Sequence, residues 1–139
     1  MIYLAAPYSH PDPAVRQQRY EMTCHATAAL LRTGHTVFSP IVHSHPLVAY
    51  GLPTEWSFWS RQDQTFLEIA DAVIVLTLHG WRESVGVREE MRLAEAMGIP
   101  IAFVEAIEGL LRMNVEPFGD DQHDTDDEHQ HCENVARDQ

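Results

Sequence analysis

The chain has 139 residues, 45% of them apolar, and a net charge of −12, which suits one domain with a real core. No run approaches the roughly 18 apolar residues of a membrane span, and Met1-Ile2-Tyr3-Leu4 lacks the basic start of a secretory signal. Nine of the 21 acids lie between Val115 and Gln139, where Arg137 is the only base, and the chain has no lysine, so it offers no electrostatic footprint for duplex nucleic acid. Cys24 and Cys132 have the spacing of neither a metal knuckle nor a redox pair, and a reducing cytoplasm is expected.

Ile2-Tyr3-Leu4-Ala5-Ala6 is a short apolar run ended by Pro7 and reads as a buried first strand. Asp12-Pro13 supplies an N-cap and an N1 proline for a helix with Val15, Met22, Ala26, Ala29 and Leu30 on one side, stopping at Gly34. Thr36 to Pro40 reads as a second strand, and the histidine pair His43-Ser44-His45 as part of a loop running to Pro53. Thr54 is expected to cap a helix through Trp56, Trp59, Phe66, Leu67 and Ile69. Asp71 then heads a strand, Ala72 to Leu76, whose continuous apolar run suits a parallel sheet covered on both faces. A helix from Ser84 to Gly98 and a strand from Pro100 to Val104 follow. Glu105 to Asn114 is an apolar piece expected to pack as a helix or dock on a partner.

This alternation predicts an α/β, Rossmann- or flavodoxin-like three-layer fold with a parallel sheet of four or five strands. The domain would occupy residues 1–114, and 115–139 would form an acidic, histidine-rich disordered tail. Ligands of such sheets gather at the carboxyl ends of the strands, the rim expected to carry Tyr8, Ser9, the His43 loop, Trp81 and Ser84.

Within the helix after Ser84, one residue breaks the pattern. Val87, Met91, Ala94 and Met97 share a narrow arc at about 100° per residue, and Glu90 projects inside it. Burying an ionised carboxylate without a partner costs several kcal/mol, so Glu90 is either a site residue or is satisfied by an arginine or backbone groups. Ser84 caps the helix and Gly86 keeps its backbone open, an arrangement that serves plain capping or anion binding. Asp71 reads equally as a turn residue or a rim carboxylate. Tyr3 and Tyr8 flank the end of the first strand, to orient a ligand or to pack. His43 and His45 have no evident third ligand, so a substrate or subunit contact is expected there rather than zinc.

Tyr3-Leu4-Ala5-Ala6-Pro7-Tyr8-Ser9, Asp63 followed by Asp71, and Ser84-Val85-Gly86-Val87 leading to Glu90 together resemble the nucleoside 2-deoxyribosyltransferase superfamily, over roughly residues 2–105. That group includes 2'-deoxynucleoside 5'-phosphate N-hydrolases. The resemblance implies Glu90 as the glutamate nucleophile, with Asp71 and Tyr3 as its catalytic companions. It puts Ser84 where the transferases have an aspartate and the phosphate-accepting hydrolases a serine. Ser9, Tyr8, Gly86, Asp63, Trp81, His43 and His45 are then expected to contact substrate. The implied activity is cleavage of an N-glycosidic bond in a nucleoside or nucleoside 5'-monophosphate, by hydrolysis or deoxyribosyl transfer. It needs no cofactor or metal, and a homodimer is implied. The competing expectation is a non-catalytic nucleotide-binding module.

Overall fold

Alternating burial along two short strands divides the core. In β1 (Ile2–Ala5) Tyr3 and Ala5 fall to one face of the sheet while Leu4, with Ala6 beyond it, falls to the other; in β3 (Ala72–Leu76) Val73 and Val75 oppose Ile74 and Leu76. Each set meets its own helices, as period-two side chains between two apolar layers must. Leu4, Ile74 and Leu76 pack with Ala26 and Leu30 of α1 (Pro13–Arg32) and Ile41 of α2 (Pro40–Val48). Tyr3, Val73 and Val75 pack with Leu67 of α3 (Trp56–Glu68) and with Val87 and Ala94 of α4 (Val85–Ala96). The computed structural model describes residues 1–107 and 110–114; the stretch 115–139, with its expected disorder and its histidines, lies outside the described residues.

The sheet order is β2-β1-β3-β4-β5, with β2 (Val37–Phe38), β1, β3 and β4 (Ile101–Ile107) parallel and β5 (Leu110–Asn114) antiparallel at the edge. The protein is therefore an α/β domain of three layers with flavodoxin-like strand order, and its switch point lies between β1 and β3. Asp12 caps α1 through Ala14 N–H at 2.9 Å, and Gly34, at φ 88°, follows its C-cap. Among the described residues no helix is long and apolar enough to cross a membrane.

Three local expectations are corrected. The histidine pair does not lie in a loop: Ser39 caps α2 by accepting from Val42 N–H at 3.2 Å, with Pro40 at the first helical position. Thr54 caps nothing; Glu55 is the N-cap of α3, and the Thr54 carbonyl instead accepts from Ser9 Oγ at 2.7 Å. The described residues of the piece from Glu105 to Asn114 form not a helix but the end of β4 and all of β5, with Phe103 opposite Asn114 and Ile107 opposite Leu110.

Candidate active site

A cleft of about 460 Å3 opens at the carboxyl ends of β1 and β3, where the switch point leaves room between diverging connections. Ala6, Tyr8 and Ser9 enter it from the β1–α1 connection, Ile41 and Ser44 from α2, Trp56, Trp59 and Asp63 from α3, and Glu83 to Gly86 with Glu90 from the start of α4. Positions 56, 59 and 63 are three and four apart, so one face of α3 carries all three side chains to the cleft wall.

Glu90 is 5% exposed, and its Oε2 has no hydrogen-bond partner. Beneath it lies Tyr3, fully buried, whose hydroxyl is also unpartnered by regular hydrogen-bond geometry although it is near enough to influence the carboxyl group. Asp63 faces the same spot and is 6% exposed. Burial is the main cause that lifts Glu90 to about 8; the Tyr3 hydroxyl pulls it down and the nearby Asp63 charge pushes it up. Burial lifts Asp63 to about 7. Tyr3 is held far above the ordinary phenol range, first by burial and then by the two acids, so it stays a neutral hydroxyl. Two adjoining carboxyl groups that titrate near neutrality hold about one proton between them, a poised acid–base pair.

The walls are fixed by loop contacts. Ser84 caps α4 by accepting from Val87 N–H at 3.3 Å. A Cβ on Gly86 would stand 3.7 Å from Glu90 Oε1, 3.8 Å from Trp56 and 3.9 Å from Ser84 Oγ, so the missing side chain leaves open space beside the acid. Trp59 donates to the Pro53 carbonyl at 2.8 Å, which fixes its indole. Arg19 donates to the carbonyls of Tyr8 (3.3 Å), Ser9 (3.1 Å) and His79 (3.1 Å), tying together the connections after β1 and β3. Gly80, at φ 86°, gives it passage: a Cβ there would meet Arg19 Nη2 at 2.7 Å.

Of the residues expected at a site, Glu90, Asp63, Ser84, Gly86, Ser9 and Tyr8 line one cleft, with Tyr3 immediately behind. Four do not. Asp71 precedes β3, at the opposite end of the sheet; its side chain is 86% exposed and its carboxylate pairs with the Met1 amino group. Trp81 packs on Phe103, with Arg82 over its ring at 4.9 Å, because the turn before α4 directs it into the core under α3 and α4. His43 faces a separate, more open groove between α2 and α3. His45 stacks on Tyr20 at 4.2 Å and binds Tyr8 Oη at 2.6 Å and Gln17 Oε1 at 2.9 Å. With Gln17 accepting at Nε2, the Tyr8 hydroxyl donates to Nδ1 of a neutral ring, and burial, then Arg16, lowers the affinity of His45 for a proton.

Sequence reasoning missed Trp56, Trp59 and Ser44. The signal was available for the tryptophans, which share helical spacing with Asp63; Ser44 was hidden because α2 was not recognised. Among the described residues no group of three or more His, Cys, Asp and Glu could hold a metal ion.

Fold and site thus define an α/β domain with a carboxylate-bearing, aromatic-walled cleft at its switch point. Residues 1–106 match the family described as a domain of unknown function, DUF1937, and the chain belongs to that family. No curated protein matches it.

Proposed function

We propose that this domain cleaves the N-glycosidic bond of a nucleoside or nucleoside 5'-monophosphate, with Glu90 as the nucleophile. The observation that carries the reading is the Glu90 carboxyl group itself, buried, unpartnered at Oε2 and set in the wall of a cleft that Asp63 also lines. An uncompensated acid in such a place costs the fold stability, and catalysis is the use that accounts for it.

In this mechanism the sugar lies over Gly86, where no side chain separates it from Glu90, and the base lies against Trp56 and Trp59. The C1'–N bond breaks through an oxocarbenium-like transition state as Glu90 Oε attacks C1', giving a glycosyl ester. With Glu90 at about 8 and Asp63 at about 7 the shared proton rests mainly on Glu90; the reactive form is the minority one in which Glu90 is ionised and Asp63 holds the proton that a departing neutral base needs. Tyr3, kept neutral, donates towards Glu90 and steadies the ionised form. Water then attacks the ester, or a second base takes the sugar. The resemblance to the nucleoside 2-deoxyribosyltransferase superfamily supports the reading through Tyr3, Asp63, Ser84, Gly86 and Glu90, and it brings a cytoplasmic homodimer into the proposal. Asp71 takes no part in the mechanism.

The test is release of free base from a panel of ribo- and deoxyribonucleosides and their 5'-monophosphates. Wild type should release base from at least one, and Glu90→Gln should lose the activity by 1,000-fold or more; equal rates would remove Glu90 from the chemistry and leave a binding module.

A further inference from the structure

The β1–α1 connection meets the cleft with two hydroxyl-bearing side chains, Tyr8 and Ser9, whose hydrogens are already given away. Ser9 Oγ donates to the Thr54 carbonyl at 2.7 Å, which leaves it only lone pairs to offer. For Tyr8 the direction of donation is set by a chain of contacts that begins on the surface of α1. Gln17 Nε2 donates to Glu21 Oε1 at 3.1 Å, one helical turn further on. A carboxylate only accepts, so this contact fixes which end of the Gln17 amide faces His45. The amide oxygen meets His45 Nε2 at 2.9 Å, and that nitrogen carries the ring hydrogen. Turned the other way, the amide would set its oxygen against the Glu21 carboxylate, acceptor against acceptor.

Nδ1 of the neutral imidazole is therefore bare, and it accepts the hydrogen of Tyr8 Oη at 2.6 Å. Burial, then Arg16, favours the neutral ring. Tyr20 stacks on that ring at 4.2 Å and Tyr8 stands edge-on to it, so its orientation is held from two sides. The Arg16 guanidinium near the Tyr8 oxygen is a donor only, and it leaves the hydrogen on its path to His45. A free phenol gives and takes hydrogen bonds alike. One whose hydrogen is held elsewhere can only take them, and only a hydroxyl or an N–H satisfies it. The polarity belongs to this wall: across the cleft, Ser84 Oγ accepts from Val87 N–H and keeps its own hydrogen. With the base against Trp56 and Trp59, the group left to meet Tyr8 and Ser9 is the sugar.

We infer that Tyr8 and Ser9 select the substrate by accepting hydrogen bonds from its sugar hydroxyls, and that His45 is the positioning residue that makes Tyr8 an acceptor. The inference rests on the proposed N-glycosidase reading and names what the cleft reads on the sugar.

Calorimetric titration at neutral pH of the full chain carrying Glu90→Gln, which prevents turnover, tests it. The probes are adenosine and uridine, each beside the analogues in which fluorine, which cannot donate, replaces the 2'-, 3'- or 5'-hydroxyl. At least one replacement should cost about fivefold in affinity, the worth of one hydrogen bond. Adding Tyr8→Phe should reduce that cost to less than about twofold. His45→Phe keeps a ring to stack on Tyr20 but removes the acceptor. It should narrow the hydroxyl-to-fluorine ratio as well, whereas a merely structural role would weaken both ligands equally and leave the ratio unchanged. Every analogue binding as tightly as its parent, a ratio untouched by Tyr8→Phe and His45→Phe, or no binding of either nucleoside at millimolar concentration overturns the inference. The two readings fail separately. Wild type releasing base with no such selectivity in binding sinks only this inference, whereas hydroxyl-selective binding without base release from any nucleoside sinks only the enzyme.

Discussion

Replacing Glu90 by glutamine should stabilise the protein at alkaline pH and change little in acid. The folded protein holds this carboxyl proton up to about pH 8, whereas the ordinary value is 4.5. A raised carboxyl pKa means that the native state keeps a proton that the unfolded chain releases. The native state is therefore unpenalised below pH 4.5 and loses stability as pH rises towards 8. At 1.36 kcal/mol per pH unit, that interval sets a ceiling of about 5 kcal/mol. Water reaching the open side of the cleft relieves part of it, so the gain for Glu90→Gln is expected at about 2–4 kcal/mol near pH 9 and below about 1 kcal/mol near pH 5. Urea denaturation of both proteins across this range measures it, because the amide is nearly isosteric and packing is held constant. Parallel stability curves, or a variant less stable than wild type at pH 9, would refute the argument that the acid is buried without compensation.

Three further outcomes follow from the same geometry. Because Asp63 and Glu90 titrate near about 7 and about 8, kcat/KM for base release should peak between those values, and Asp63→Asn should abolish one limb and leave a profile that rises with Glu90 ionisation. Gly86→Ala should fold with a melting temperature equal to or above wild type, yet lose roughly tenfold in kcat/KM as its methyl group occupies the space 3.7 Å from Glu90 Oε1. Asp71→Asn should leave base release unchanged and shift stability by less than about 0.5 kcal/mol, since the carboxylate is exposed at the far end of the sheet; a tenfold loss of activity would show that placement to be misjudged.

Glu90 was legible because a helix imposes a strict angular period, and one carboxylate among Val87, Met91 and Ala94 violates it. The Ser84 cap and the Asp12-Pro13 start were legible for a similar reason: unsatisfied N–H groups select few residue types. The same rule applied to Ser39-Pro40 would have found α2, but Pro46 and two histidines in nine residues mask a helix whose stability comes from burying Pro40, Ile41 and Ser44. Met97 was expected inside and is 39% exposed, although as the C-cap of α4 it keeps helical backbone angles and its N–H bonds to the Leu93 carbonyl at 3.0 Å. Asp71 and Asp63 could not be ranked from the sequence. Both precede or face apolar segments, and only the topology shows that one lies at the amino ends of the strands and the other at the carboxyl ends. The edge strand β5 escaped because a short apolar run fits strand and helix alike until a neighbour is known.

The most direct measurement is intact-mass analysis of wild-type protein incubated with a 2'-deoxy-2'-fluoronucleoside, which slows hydrolysis of a glycosyl ester more than its formation. A mass gain of one fluorosugar, mapped to the peptide containing Glu90 and absent in Glu90→Gln, is the predicted result. Base release with no adduct, or an adduct on any other residue, would contradict the account.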